Sequence, residues 1–127
     1  MEEKRFIYFH KHAIDRYAQR LNHIYGNNIS ENGDWVNLPK LENEIMRKGV
    51  FYQDPKHGPG SFYCVVNNLT VYKGDIMPDG TLKIVTTYPY KKELRSLLVK
   101  LERIHIPQIE QFRQDLEARI RGAAAAA

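Results

Sequence analysis

The apolar pattern of this chain changes period twice, and those changes decide which folds are open to it. Up to Gly49 the apolar residues recur every three or four positions. From Val50 to Tyr88 they alternate, and after Pro89 the helical spacing returns. A chain of 127 residues patterned this way is expected to form one α+β domain. That domain has two N-terminal helices, an antiparallel sheet of about four strands, and two C-terminal helices. It should span residues 1–121, with 122–127 an appended tail, because everything after Gly122 is alanine.

Lys4 to Phe9 alternate weakly and read as a short strand or an irregular lead-in. The first helix is expected from about His10 to Tyr25, with Ile14, Tyr17, Ala18, Leu21, Ile24 and Tyr25 on its apolar face. Gly26-Asn27-Asn28 should stop it, since Gly and Asn tolerate left-handed backbone. A polar loop follows, in which Trp35 and Val36 are the apolar exceptions and should tuck against the core. Asn37 can cap a second helix and Pro39 suits its first turn. Leu41, Ile45 and Met46 face the core, and Gly49 ends the helix.

Strands are expected at Val50–Gln53, Ser61–Val66, Leu69–Lys73 and Thr81–Tyr88. Turn-rich segments at 54–60 and 77–80 separate them. A two-residue Asn67-Asn68 link suits a tight hairpin, since both positions need positive φ. That link would set Val66 opposite Leu69, Cys64 opposite Val71 and Phe62 opposite Lys73, on a face packed against helices. The other face would carry Tyr63, Val65, Thr70 and Tyr72. Its two tyrosines either stack bases or pack under another helix. After Pro89, helix three is expected from about Lys91 to Ile104, with Leu94, Leu97, Leu98 and Leu101 on one face. Helix four follows Pro107 with Ile109, Phe112, Leu116 and Ile120. The two stripes form a helical hairpin against the domain, or a surface for a partner or a second copy.

Composition narrows the function classes. Lys and Arg number 19 against 15 Asp and Glu, a net charge of +4, which suits an acidic partner such as nucleic acid without requiring one. Cys64 is the only cysteine, so no intrachain disulfide and no cysteine metal cluster can form. It sits in an apolar strand pattern and reads as a small core hydrophobe of a protein in a reducing compartment. No apolar stretch is long enough to span a membrane, and Met-Glu-Glu-Lys-Arg lacks the apolar core of a signal peptide, so a cytoplasmic protein is expected. No metal and no cofactor are expected. His10, His12 and His23 do not make His-Glu-x-x-His, and His10 and His12, two apart, point to different helix faces. Gly58-Pro-Gly60 is a turn rather than a phosphate loop, and no serine elbow is present.

Chemistry concentrates on the first helix. Spacings of three and four place His12, Arg16, Gln19 and His23 on one face, with Arg20 at its edge. Imidazole moves protons near neutral pH, and guanidinium matches phosphate oxygens in a two-pronged way. The same spacing also describes a solvated basic face.

The pattern His12-x-x-Asp15-Arg16-x-x-Gln19-Arg20 resembles the phage early-transcript endoribonucleases and the related small RelE-like toxins of the BECR-type fold. Small domains that open with a His-Ala-x-x-Arg helix and end in a strand like Ile84-Val-Thr-Thr-Tyr88 are similar too. The resemblance implies two N-terminal helices on a four-stranded antiparallel sheet. It also implies metal-independent RNA cleavage, in which the ribose 2′-hydroxyl attacks the adjacent phosphate and leaves a 2′,3′-cyclic phosphate. On this reading His12 is the base or acid, Arg16 clamps the phosphate, and Asp15 orients the helix or pairs with an arginine. Tyr88 donates a proton or holds the leaving group, and Arg20, Lys48 and Lys83 contact the backbone. The phage enzymes carry a second histidine near the end of the second helix, where this chain has Arg47-Lys48-Gly49-Val50. His57 can substitute only if its Gly/Pro loop folds back over the sheet. The partners implied are RNA, free or ribosome-bound, and an antitoxin or host protein, with a homodimer through the C-terminal helices. The competing reading is a non-catalytic phage or plasmid-type binding protein that docks nucleic acid or a host protein through helix one or the C-terminal helices.

Overall fold

The computed structural model describes residues 5–25 and 36–126. Over them the elements run β1 (Ile7–Phe9), α1 (Lys11–Tyr25), α2 (Leu38–Lys48), β2 (Val50–Gln53), β3 (Ser61–Val66), β4 (Thr70–Ile76), β5 (Leu82–Pro89), α3 (Lys92–Leu98) and α4 (Pro107–Ala126). The fold is α+β, as the change of period requires. The helix stop expected at Gly26-Asn27-Asn28 and the tucking of Trp35 lie outside the described residues.

Local chemistry explains the boundaries. His10 precedes α1 and caps it with its own ring: its carbonyl accepts from Ala13 N and its Nδ1 from His12 N at 3.1 Å. Asn37 Oδ1 accepts from Lys40 N at 3.2 Å, with Pro39 in the first turn of α2. At the other end of α2, Arg113 of α4 donates to the carbonyls of Met46 (2.8 Å) and Gly49 (2.7 Å), groups that a helix end leaves without partners. Arg113→Ala is therefore expected to destabilise the fold by about 1–3 kcal/mol, with little rescue by lysine, which lacks the planar fork. Chemical denaturation of the three chains measures this.

The sheet has five strands in the order β1-β5-β4-β3-β2. This corrects the expectation of about four antiparallel strands. β2 to β5 form the meander, but β1 lies parallel to β5, Ile7 opposite Leu82 and Phe9 opposite Ile84. A strand of three residues has too little alternation to announce itself. It is parallel because both helices and strands β2 to β4 lie between it and its partner, the kind of long crossover that parallel pairing needs.

The β3–β4 register is a second correction. Asn67 and Asn68 both have φ of 56°, and Leu69 N donates to Val66 O at 3.1 Å. Pairing nonetheless resumes at Thr70, so Val65 faces Val71, Cys64 faces Tyr72 and Tyr63 faces Lys73. A one-residue slip sends every β4 side chain to the opposite face. The expected register would have buried the Lys73 ammonium against the helices. The observed one buries Tyr72 instead, 1% exposed, its ring stacked on Tyr17 and edge-on to Phe9. Tyr72 is thus a core residue and presents no base-stacking surface.

The main core lies between the sheet and α1, α2 and α4. It holds Tyr17, Ile45, Phe51, Phe62, Cys64, Tyr72 and Ile84, with Ile106 and Ile109 arriving from the C-terminal part. Burial pushes the Cys64 thiol well above its usual range, which keeps it unreactive. On the opposite face a smaller cluster of Val65, Val71 and Leu98 gathers Tyr52, Tyr63, Tyr88, Leu94 and Leu101.

Helix three is shorter than its leucine spacing predicts. After Leu98 the chain leaves the helix and passes beside β2: Gln53 N donates to Glu102 O (2.8 Å) and Ile104 N to Phe51 O (2.9 Å). Those bonds satisfy the edge of β2, which the expected helix would have left open. The strap carries the chain from the small cluster (Leu98, Leu101) to the main core (Ile104, Ile106). α4 then runs on through the alanines, the residues with the highest helix propensity.

Candidate active site

Asp54 follows β2 and begins the turn that leads to β3. Its amide donates to Ser61 O at 2.9 Å, and its Oδ1 accepts from Lys56 N at 3.1 Å, a side-chain-closed turn typical of aspartate. Gly58, at φ 108°, supplies the left-handed step that reverses the loop. The loop brings His57 beside Lys73 of β4. His57 Nδ1 comes to 2.6 Å from Asp54 Oδ2. Lys73, on β4, hydrogen-bonds the same Asp54 oxygen. Its Nζ is 3.0 Å from His57 Nδ1, 3.4 Å from the Tyr63 hydroxyl and 4.4 Å from the Tyr63 ring centre.

Burial grades across this group. Asp54 is 3% exposed, and the side chains of Lys73 and His57 are 18% and 59% exposed. A proton on His57 Nδ1 makes the 2.6 Å contact a hydrogen bond donated to the Asp54 carboxylate, and sets that N–H 3.0 Å from the Lys73 ammonium. In that tautomer Nε2 is the open nitrogen of an exposed imidazole, with a buried carboxylate behind it. Burial opposes the charge on Asp54. The hydrogen bonds from Lys73 and His57, the charge of Lys73 and the Lys56 amide outweigh it, so the carboxyl stays below the usual aspartate range. A depressed carboxylate stabilises the fold above its unfolded value, near 4, and that contribution disappears as pH falls through the lower folded value. The melting temperature is accordingly expected to drop on acidification below about pH 4, and Asp54→Asn to flatten that dependence. Thermal melts across the acid range check it.

The helix-one stripe forms as the spacing predicts, but it is tied to itself. Arg16 Nε donates to His12 Nε2 at 3.3 Å and Arg16 Nη1 to Gln19 Oε1 at 3.1 Å. The His23 side chain lies outside those described. Arg20 turns towards β5. It donates to the Thr87 carbonyl at 2.9 Å, beyond the short stretch that β1 pairs, and lies 4.5 Å over the Tyr88 ring. Lys48 is exposed at the end of α2. Lys83 is exposed on β5 in a separate groove that it shares with Tyr8, His10 and Lys11.

The sequence candidates thus fall into groups. His57 and Tyr63 converge with Asp54 and Lys73. Tyr88 joins Arg20. His12 joins Arg16. Tyr63 and Tyr88 also line one groove under α3. Among the described residues no hydrogen bond or ring contact links His12 to Tyr88 or to His57. Sequence reasoning missed Asp54 and Lys73. Asp54-Pro-Lys-His57 had the spacing of an aspartate-closed turn, and Lys73 was assigned to the core by the wrong register.

Among the described residues, no group of three or more His, Cys, Asp or Glu is placed to hold a metal ion, and no helix is long and apolar enough to cross a membrane. Comparison with family models, with curated proteins and with solved structures finds no match to this chain.

Proposed function

We propose that this protein is a metal-independent endoribonuclease whose chemistry centres on His57 rather than on His12. The observation that carries the reading is a buried Asp54 holding both the imidazole of His57 and the ammonium of Lys73. His57 Nε2 removes the proton of a ribose 2′-hydroxyl. The 2′-oxygen then bonds to phosphorus, the bond from phosphorus to the 5′-oxygen breaks, and a 2′,3′-cyclic phosphate remains. Lys73 answers the charge gathering on the phosphoryl oxygens. The Tyr63 hydroxyl, 3.4 Å from Lys73 Nζ, delivers the proton that the leaving 5′-oxygen takes up. Solvent exchange at His57 and Tyr63 resets both groups.

The order β1-α1-α2 followed by a meander supports the RelE-like resemblance, while the parallel β1 and the strap to α4 add to that pattern. On this reading the substrate is RNA, free or on ribosomes, and the setting is the cytoplasm. An antitoxin or host-protein partner belongs to the same proposal.

One observation favours the non-catalytic alternative for helix one. His12 Nε2 is engaged by Arg16, and Arg16 by Gln19, so this stripe offers cations for docking but no open base. The two readings fit together if helix one holds RNA and His57 cuts it. The deciding experiment is RNA cleavage in excess EDTA, on free RNA and on ribosomes, with product ends mapped. Cyclic-phosphate ends lost in His57→Ala and kept in His12→Ala support the proposal. Absence of cleavage on either substrate, or cleavage untouched by His57→Ala, overturns it. If helix one docks phosphates, Arg16→Ala should weaken RNA binding and make the affinity fall less steeply as salt rises.

A further inference from the structure

We infer that the groove under α3 is a slot for a nucleobase of single-stranded RNA, that of a nucleotide beside the phosphate held at Lys73; this rests on the RNA-directed reading above. The groove, about 370 Å³, is lined by Tyr63, Tyr88, Pro89, Leu94 and Leu97 together with the charged Lys91 and Glu93. Its walls are rings and aliphatic groups, the surface that a flat base stacks on.

The charges beside its ring walls set the polarity of the occupant. Lys73 stands 4.4 Å over the Tyr63 ring and Arg20 4.5 Å over the Tyr88 ring, so each wall tyrosine carries a cation. Lys91 adds a third cation to the lining. A ligand that satisfies this arrangement has a flat apolar body and more than one negative group beside it, which describes one nucleotide of a strand with its two flanking phosphates. Glu93 repels phosphate from the groove and accepts from base-edge donors, so the base, not the backbone, enters. Tyr63 belongs both to the groove and to the His57–Lys73 group, and an occupant of the slot therefore lies next to the groups that would act on its phosphate.

The test uses a fully 2′-O-methylated oligonucleotide, which cannot be cut, carrying a single 2-aminopurine whose fluorescence falls on stacking. Titration of the native chain should quench it, and an oligonucleotide with an abasic sugar at that position should bind several-fold more weakly. Leu97→Trp fills the groove from a side chain already 38% exposed. It should weaken the base-bearing strand about tenfold and leave the abasic strand unchanged. Lys91→Glu, a surface change, should weaken both, and melting curves confirm that each variant is folded. Equal binding of base-bearing and abasic strands, or quenching untouched by Leu97→Trp, overturns the slot; so does competition by an apolar peptide with no response to any oligonucleotide. Quenching without cleavage of unmodified RNA keeps the slot and ends the endoribonuclease reading. Cleavage without quenching does the reverse.

Discussion

A His57→Ala chain is expected to melt close to the native temperature and to lose RNA cleavage by roughly 10²- to 10⁴-fold, the range a positioned general base supplies. The stability part follows from exposure. The His57 side chain is 59% exposed, and the turn that carries it is closed by Asp54 with the Lys56 amide and Ser61 carbonyl, none of which needs the imidazole. The catalytic part follows from the proton on Nδ1: with that nitrogen donating to Asp54, Nε2 is the one nitrogen open to substrate. Asp54→Asn separates orientation from chemistry. It keeps the shape, but an amide nitrogen or a neutral oxygen now meets Lys73, and His57 loses the carboxylate that fixes its tautomer. Its cleavage should fall by a comparable order, and its stability as well, because Lys73 is left half-buried beside a neutral group. Single-turnover rates with melting curves on the three chains decide the matter. A His57→Ala chain that cuts at the native rate sinks the assignment.

The parts of this molecule that could be read from the sequence are those with local causes. Asn37 and Pro39 start α2 through one side-chain oxygen and one missing N–H, and both act within a single turn. The stripe from His12 to Gln19 follows from helical spacing alone. What escaped was decided at long range. β1 pairs with a strand 75 positions further on, Ile7 with Leu82, and nothing within three residues announces that. The hairpin register could not be fixed by its turn, because the same two asparagines serve a tight link and the observed loop. The choice between burying Tyr72 or Lys73 was made by the core. That choice also placed Lys73 next to Asp54, so the error in register and the failure to see the site were the same error. Helix three stopped early for a similar reason: the open edge of β2 competed for residues 102–104 and won them from a leucine stripe that would otherwise have stayed helical.

Gly74→Ala is expected to be the most damaging small substitution in the sheet, costing about 3 kcal/mol or more and lowering the melting temperature by roughly 10 °C. A methyl at Gly74 would stand 2.2 Å from the Lys83 carbonyl oxygen, 3.1 Å from its carbon and 3.0 Å from the Phe62 ring. The first two are backbone of the neighbouring strand and cannot rotate away. Phe62 is fully buried and packs edge-on to Phe51 at 5.3 Å, so it has no room to yield. The position also marks an irregularity in pairing: Lys73 faces Thr86 while Gly74 faces Ile84, which leaves Val85 as the extra residue of a bulge. Relief of the clash would push β4 and β5 apart where the bulge sets the phase of Lys73. The expected consequence is a double loss, of stability and of the Lys73–Asp54 contact. Gly60→Ala is the control. Its added methyl would meet the Ile76 carbonyl oxygen at 3.1 Å, a squeeze of a few tenths of an ångström at the mouth of the same loop, and should cost far less. If Gly74→Ala melts with the native chain and retains the acid sensitivity assigned to Asp54, the close approach of β4 to β5 does not hold Lys73 in place, and the support for the site must come from the Asp54 turn alone.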